Sequence, residues 1–209
     1  MKRRTYARYV KRILDIIFAI TGIVMSLPIM LLICPILYFA NNGSLFFKQQ
    51  RPGMNEIVFT IMKLKTMTDT KDIDGNLFPD RERLTRVGKI IRKFSLDEVP
   101  QLINVLKGEM SIVGPRPLLE KYLPLYSNYH SRRHDVRPGI TGWAQINGRN
   151  ESSWKKRLDN DIWYINEISF CLDMRIILKT ILITFKRKGI NSRDAATMKP
   201  FTGSKNYAK

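Results

Sequence analysis

The sequence predicts a mainly helical α+β protein: a re-entrant membrane helix-break-helix anchor, then a compact cytoplasmic domain with short strands and surface amphipathic helices. Three observations predict it. Ile16 to Ala40 is a run of 25 residues without a charge, long enough for a membrane segment. Basic residues flank it on both sides, Lys2, Arg3, Arg4, Arg8, Lys11 and Arg12 before it and Lys48, Arg51, Lys63 and Lys65 after it. Beyond it, short β-branched runs give way to amphipathic helical patterns.

The anchor comes first. A spanning helix keeps its Lys/Arg excess on the cytoplasmic side, so these flanks place both ends on one face. Pro28 in mid-run and Pro35 after it each lack a backbone donor and clash with the preceding turn. A helix that enters one leaflet, bends near Pro28 and leaves by the same face satisfies all three facts. Its arms, Ile13–Leu27 and Pro28–Ala40, hold 15 and 13 residues. At about 1.5 Å per residue each reaches roughly 20 Å, more than half of a hydrocarbon core of about 30 Å. A kinked single span is the competing geometry, since prolines occur in true spans. A cleaved signal peptide is not expected, because the run is too long, is interrupted by prolines and lacks a small-x-small site.

The turn Asn41-Asn42-Gly43-Ser44 ends the anchor. Strands are predicted over Leu45–Phe47 and Ile57–Met67, with Arg51-Pro52-Gly53 between them. Thr68–Asp80 reads as a polar loop turning at Asp74-Gly75-Asn76. Leu84, Val87, Ile90, Ile91 and Phe94 recur at the spacing of one buried helix face, with Arg83, Arg86, Lys89, Arg92 and Lys93 opposite. A second helix is predicted from Ser95 to Gly108, a natural C′ residue. Met110–Val113 reads as a strand, Gly114-Pro115-Arg116-Pro117 as a stiff loop and Leu118–Arg133 as a helix. Arg137–Asn150 looks too irregular for an element, which makes it a candidate binding loop. Ser152–Asn166 and Leu172–Lys188 read as helices, the last of them basic and amphipathic, suited either to a membrane surface or to the core.

Composition narrows the partners. Lys and Arg number 36 against 18 Asp and Glu, a net charge of +18. Such a balance implies an anionic partner, whether nucleic acid, lipid headgroups or phosphorylated substrates. The apolar run favours lipid headgroups over nucleic acid, for which no motif is present. Cys34 and Cys171 form no disulfide framework and fit a reducing compartment. His130 and His134 lack the Glu of a zinc motif and read as a solvated helix face.

One stretch combines the residue types that chemistry needs. In Ser95-Leu96-Asp97-Glu98-Val99-Pro100, two carboxylates adjoin at a helix start. Ser-x-x-Glu is also a capping box. Pro100 argues for Asp97 as N-cap instead, because no intrahelical bond is lost there. A helix N-terminus favours ionised carboxylates, and a desolvated ionised Asp can act as a nucleophile. Arg92 lies one turn upstream, placed to hold an anion. Arg116, between two prolines, is a rigidly mounted guanidinium suited to phosphate. Asn147-Gly148-Arg149-Asn150 offers donors for a nucleotide or sugar, or is an ordinary turn. Asp72-Ile73-Asp74 reads as a turn rather than a metal motif, and no P-loop or zinc spacing is present.

Together these blocks resemble a known family, the monotopic phosphoglycosyl transferases or bacterial sugar transferases. The resemblance runs from Lys11-Arg12-Ile13-Leu14-Asp15 through Phe47–Gly53, Met62–Met67, Ser95–Leu102 and Asn104–Gly108. It continues through Gly114–Pro117, Arg137–Trp143 and Asn147-Gly148-Arg149, covering about residues 10 to 205. It implies transfer of a phosphosugar from a UDP-sugar to undecaprenyl phosphate, with Mg²⁺, giving polyprenyl diphosphate-sugar and UMP. It implies a place at the start of exopolysaccharide or glycoprotein glycan assembly, on the cytoplasmic face of a bacterial inner membrane, with glycosyltransferases downstream. Carried over, Asp97 is the nucleophile and Glu98 assists, both near Mg²⁺. Lys63, Arg92, Arg116, Arg137 and Arg149 become the expected phosphate and substrate contacts. The domains expected are an anchor over 1–42, a catalytic domain over 43–190 and a flexible tail over 191–209. One departure stands out. The family's membrane break is Ser-Pro, whereas this chain reads Ser26-Leu27-Pro28.

Overall fold

The computed structural model describes residues 6–148, 153–186 and 200–204. After one π-turn over Tyr6–Val10, helix α1 runs from Lys11 to Ala40. Its 30 residues span about 45 Å, and it is long and apolar enough to cross a membrane. The helix continues through Pro28 and Pro35, so the expected break at Pro28 does not interrupt it. Pro28 cannot donate to Val24 O. The Ser26 hydroxyl donates at 2.9 Å to Ile23 O, not to the carbonyl that Pro28 leaves without a partner.

Packing along its whole length steadies α1. Lys11, Asp15, Ala19 and Leu37 are buried, and Gly22, Ile23, Ser26, Met30, Ile33 and Cys34 are half-buried, all on one helical stripe. Near the start, Arg12 donates to Val105 O and Leu106 O at 2.5 and 2.9 Å. Asp15 accepts from Ser111 Oγ and Ile112 N, each at 2.9 Å. Near the end, Leu37 packs with Leu64 and Ile91, and Asn41 Nδ2 donates to Lys65 O at 2.7 Å. The opposite face, with Val24, Met25, Leu31, Leu32 and Phe39, is exposed.

Strands β1 (Phe46–Pro52) and β2 (Val58–Leu64) form an antiparallel ribbon in register from Phe46↔Leu64 to Pro52↔Val58. The first strand is longer than expected because the pairing carries it through Arg51-Pro52. Asp72 Oδ1 accepts from Asn76 N at 2.8 Å in the polar loop, which makes Asp72-Ile73-Asp74 a turn. A short helix α2 (Asp80–Arg83) precedes α3 (Arg86–Lys93), whose N-cap Thr85 accepts from Gly88 N. Only part of the predicted buried face of α3 is buried: Ile91 is enclosed, while Ile90 and Phe94 are exposed beside lysines.

The next start differs from both expected registers. Leu96–Glu98 is a 3₁₀ turn and α4 begins at Gln101, with Pro100 at its N-cap. The carbonyls of Ser95 and Leu96 accept from Glu98 N and Val99 N, and Pro100 has no donor to extend that ladder. Helix α4 (Gln101–Lys107) ends as predicted at Gly108, φ +86°. Strand β3 (Ser111–Val113) pairs in parallel with β4 (Gly139–Thr141). The Arg137–Asn150 stretch therefore holds an element after all, and a short α helix over Trp143–Ile146 follows. Its glycines permit this crossing. A Cβ on Gly139 would stand 2.1 Å from Gly114 N.

The helix expected over Leu118–Arg133 is broken into a 3₁₀ stretch over Glu120–Leu125, helix α5 (Asn128–Ser131) after its N-cap Ser127, and a 3₁₀ turn over Arg132–His134. Both histidines there are buried, contrary to a solvated face. His130 lies between Ser127 Oγ and Asp159, and His134 packs edge-on to Tyr126. With the helix over Trp143–Ile146 as α6, helices α7 (Trp154–Glu167) and α8 (Phe170–Lys186) complete the body. Helix α8 packs into the core on one face, where Ile176 is buried, and leaves Leu178, Ile181 and Leu182 exposed on another. The tail also departs from expectation over residues 200–204. Phe201 is 3 % exposed against Tyr122, Tyr126 and Trp154, and Ser204 N donates to Leu125 O. The rest of the tail lies outside the described residues.

Candidate functional site

Asp97 and Glu98 sit on the 3₁₀ turn between α3 and α4. Ser95 enters that turn in the left-handed region, φ +56° and ψ +23°, a conformation uncommon for a residue other than glycine. Two further elements converge on Glu98. Lys63 from β2 places Nζ 2.6 Å from Glu98 Oε1. Arg116, on the Gly114–Pro117 loop, places Nη2 2.5 Å from the same oxygen and Nη1 3.5 Å from Oε2. The prolines on either side fix the φ of their own positions and so limit how that loop can shift.

The neighbouring carboxyls are driven in opposite directions. Burial alone would raise the pKa of Glu98, but the charges and hydrogen bonds of Arg116 and Lys63 outweigh it and hold the group well below the usual carboxylate range. Asp97, 9 % exposed, is pushed up by burial and then by the charge of Glu98, with Lys63, Arg92 and Arg116 opposing. Its carboxylate receives no hydrogen bond from the described residues. Burial also lowers the pKa of Lys63, against the pull of Glu98. Two adjacent titrating groups with separated proton affinities are what divided chemical roles require.

The other predicted contacts divide. Arg92 is close enough to act on Asp97 electrostatically, and its Nε donates to Thr66 Oγ1 at 2.8 Å. Arg137 is turned elsewhere: its Nε caps the end of α4 through Gly108 O at 2.8 Å. Arg149 lies outside the described residues. Ser26 and Pro28 lie within α1. Three contributors were missed in the sequence: Thr66, which orients Arg92; Arg133, whose Nη2 donates to Arg116 O at 2.7 Å; and Asp161, which pairs with Arg133 at 2.8 Å. No local pattern joins them, because their partners are distant in the chain.

Among the described residues no group of three or more His, Cys, Asp or Glu side chains could hold a metal. Glu98 is already occupied by two cations. The donor set therefore fits Mg²⁺ only in the mode that draws one or two carboxylates from the protein and the remaining oxygens from substrate phosphates and water.

Residues 6–187 match the family described as bacterial sugar transferase. An uncharacterized sugar transferase of Bacillus subtilis, EpsL, is 48% identical over 194 residues, covering 93% of this chain and 96% of that protein. The exopolysaccharide production protein ExoY of Sinorhizobium fredii is 37% identical over 188 residues, 82% of this chain and 83% of that one. The UDP-glucose:undecaprenyl-phosphate glucose-1-phosphate transferase of Escherichia coli is 38% identical over 192 residues, 87% of this chain but only 41% of the relative.

Proposed function

Because the chain belongs to the bacterial sugar transferase family, we propose that it transfers a sugar 1-phosphate from a UDP-sugar to undecaprenyl phosphate, releasing UMP. The step would open exopolysaccharide or related glycan assembly. The observation that carries this reading is the contrast between neighbours. Glu98 is neutralised by Lys63 and Arg116, while Asp97 stands beside them desolvated and, among the described residues, without a hydrogen bond.

In the proposed reaction an Asp97 oxygen attacks the β-phosphorus of the UDP-sugar. The bond from that phosphorus to the bridging oxygen breaks, and UMP leaves with the electron pair. A lipid phosphate oxygen then attacks the same phosphorus. The Asp97 carboxylate departs, leaving polyprenyl diphosphate-sugar. Lys63, Arg92 and Arg116 offset the negative charge gathered there. Asp97 with Glu98 beside it would hold Mg²⁺ against the diphosphate, and the ion would stabilise charge on the transferring and leaving oxygens.

The same reading places the protein on the cytoplasmic face of the membrane with α1 in one leaflet. What supports this is the grip of one body on both ends of α1, through Arg12 and Asp15 at one end and Leu37 and Asn41 at the other. A perpendicular span would carry one of those ends about 30 Å away, across the hydrocarbon. Tags at Met1 and Lys209 should both resist external protease in intact cells, and cleavage of one alone would establish a span.

The activity is tested by incubating the full chain in detergent or nanodiscs with undecaprenyl phosphate, Mg²⁺ and a panel of UDP-sugars, reading UMP. Asp97→Asn should abolish release with no fall in melting temperature, because it removes a carboxyl that burial disfavours in its charged form. Full activity in that variant would end the assignment of the nucleophile. Without lipid acceptor, intact mass should show a phosphosugar adduct on the wild-type chain.

A further inference from the structure

The loop that carries Arg116 is held on two sides by other arginines. Arg133 donates to Arg116 O, and Arg51, at the end of β1, donates from Nη1 to Pro117 O at 3.4 Å. Their charge balance differs. Arg133 is paired with Asp161 through Nε and Nη2 at 3.2 and 2.8 Å. Arg51 has no acidic partner among the described residues. Its Nη2 meets the neutral Gln49 Oε1 at 2.5 Å, and its Nε is enclosed with no acceptor.

A half-buried guanidinium with an orphan donor and no anion is unfavourable. The surrounding charges worsen it. Lys63 and Arg116 share the carboxylate of Glu98 and also feel the charge of Asp97, whereas Arg51 faces the like charge of Arg116. Burial and the charge of Arg116 pull Arg51 down to about 10. The bond to Pro117 O is near the limit for a hydrogen bond. Arg51 is thus the cation of this cluster least committed to the protein. Nothing in the fold requires it to be charged, since a neutral donor could serve the Pro117 carbonyl.

We propose that Arg51 is a phosphate-binding residue, forming with Arg116 a paired-guanidinium subsite for a phosphate or diphosphate group of a substrate. The inference rests on the reaction proposed above for the choice of ligand, and on the arrangement of Arg51, Pro117 and Arg116 for the site itself. Two guanidiniums match phosphate oxygens in planar, bidentate geometry. The ligand would supply the missing negative charge.

The test uses the full chain in nanodiscs, as wild type, Arg51→Lys and Arg51→Gln. Binding of UDP and of inorganic pyrophosphate is measured by calorimetry and by thermal shift, and KM is measured separately for UDP-sugar and undecaprenyl phosphate. Arg51→Gln should weaken binding or raise one KM about 10-fold, the loss of one charge-assisted contact, with a smaller fall in kcat. Arg51→Lys should recover part of the loss. A rise confined to UDP-sugar assigns the subsite to the nucleotide diphosphate, and one confined to the acceptor assigns it to the lipid phosphate. A lower melting temperature with both KM values and pyrophosphate binding unchanged would make Arg51 a structural brace and overturn the inference. If the wild type releases no UMP but binds UDP or pyrophosphate through Arg51, the subsite stands and the proposed reaction falls. If the wild type binds neither probe and turns over no substrate, both fall.

Discussion

Replacing Glu98 with Gln removes the carboxylate that, among the described residues, joins β2, the Asp97 turn and the Gly114–Pro117 loop. At an effective dielectric of about 20, unit charges about 4 Å apart attract by roughly 4 kcal/mol. Removing one member of a buried pair typically costs about 3–5 kcal/mol. Here the side chains of Glu98, Lys63 and Arg116 are 16, 23 and 41% exposed, so solvent screens part of that, and Gln still accepts one hydrogen bond. We expect a loss of about 2–3 kcal/mol. For a chain of this size that is a fall of roughly 5–10 °C in melting temperature. Glu98 also contributes to the raised pKa of Asp97. Without it, the acid limb of UMP release should move to lower pH in whatever activity remains. The assay is a melt of Glu98→Gln, Arg116→Met and the double variant, with a pH profile of the first. A melting temperature within 1 °C of wild type (set against the roughly 5–10 °C expected), together with additive effects in the double variant, would refute the charge knot as the device that holds the site together.

Three further outcomes follow from the packing. Burial and the Arg133 charge push His134 down to about 4, so the fold binds it neutral while the unfolded chain protonates it near 6.5. Stability should therefore fall as pH drops from about 6.5 to about 4, by up to roughly 3 kcal/mol, and His134→Gln should flatten that part of a pH-dependent melt; an unchanged slope would put the acid sensitivity elsewhere. A Cβ at Gly88 would stand 2.1 Å from Thr66 O, so Gly88→Ala should cost about 1–3 kcal/mol and, by shifting Thr66, raise KM through Arg92; a silent variant would show that the α3 contact yields. Phe201→Ala should lose at most about 3–5 kcal/mol, read by denaturant titration, and no loss would mean that the 200–204 segment does not dock in solution.

The long apolar helix, the amphipathic helices and the placing of Asp97 and Glu98 together on a turn at a helix start were legible because each is written locally, as a run, a period or a neighbour. The Gly108 stop was legible for the same reason. What the sequence did not reveal depends on partners far along the chain. Nothing near Glu98 announces Lys63 and Arg116 as its companions, and nothing near Arg137 announces its bond to the end of α4. The parallel pairing of β3 with β4 was invisible because three residues per strand give no periodicity. The two histidines misled for a related reason. Their helical spacing was real, but burial is decided by Ser127, Asp159 and Tyr126, which the spacing does not contain. The prolines of α1 misled in another way: they weaken the helix locally, while contacts along its body-facing stripe hold it together.

That stripe has a consequence for how the protein comes into being. Ala19 closes a cluster with Phe59, Ile61, Val105 and Met110, and Leu37 closes another with Leu64 and Ile91. The long apolar helix is therefore also a wall of the interior. A version lacking the first forty residues would not be a soluble enzyme released from its tether, but a body with three cores laid open, since Tyr6 is buried in a further cluster with Val113, Tyr164, Ile168 and Ile176. Folding of the body therefore waits on α1, because the clusters around Ala19 and Leu37 close only when that helix is in place.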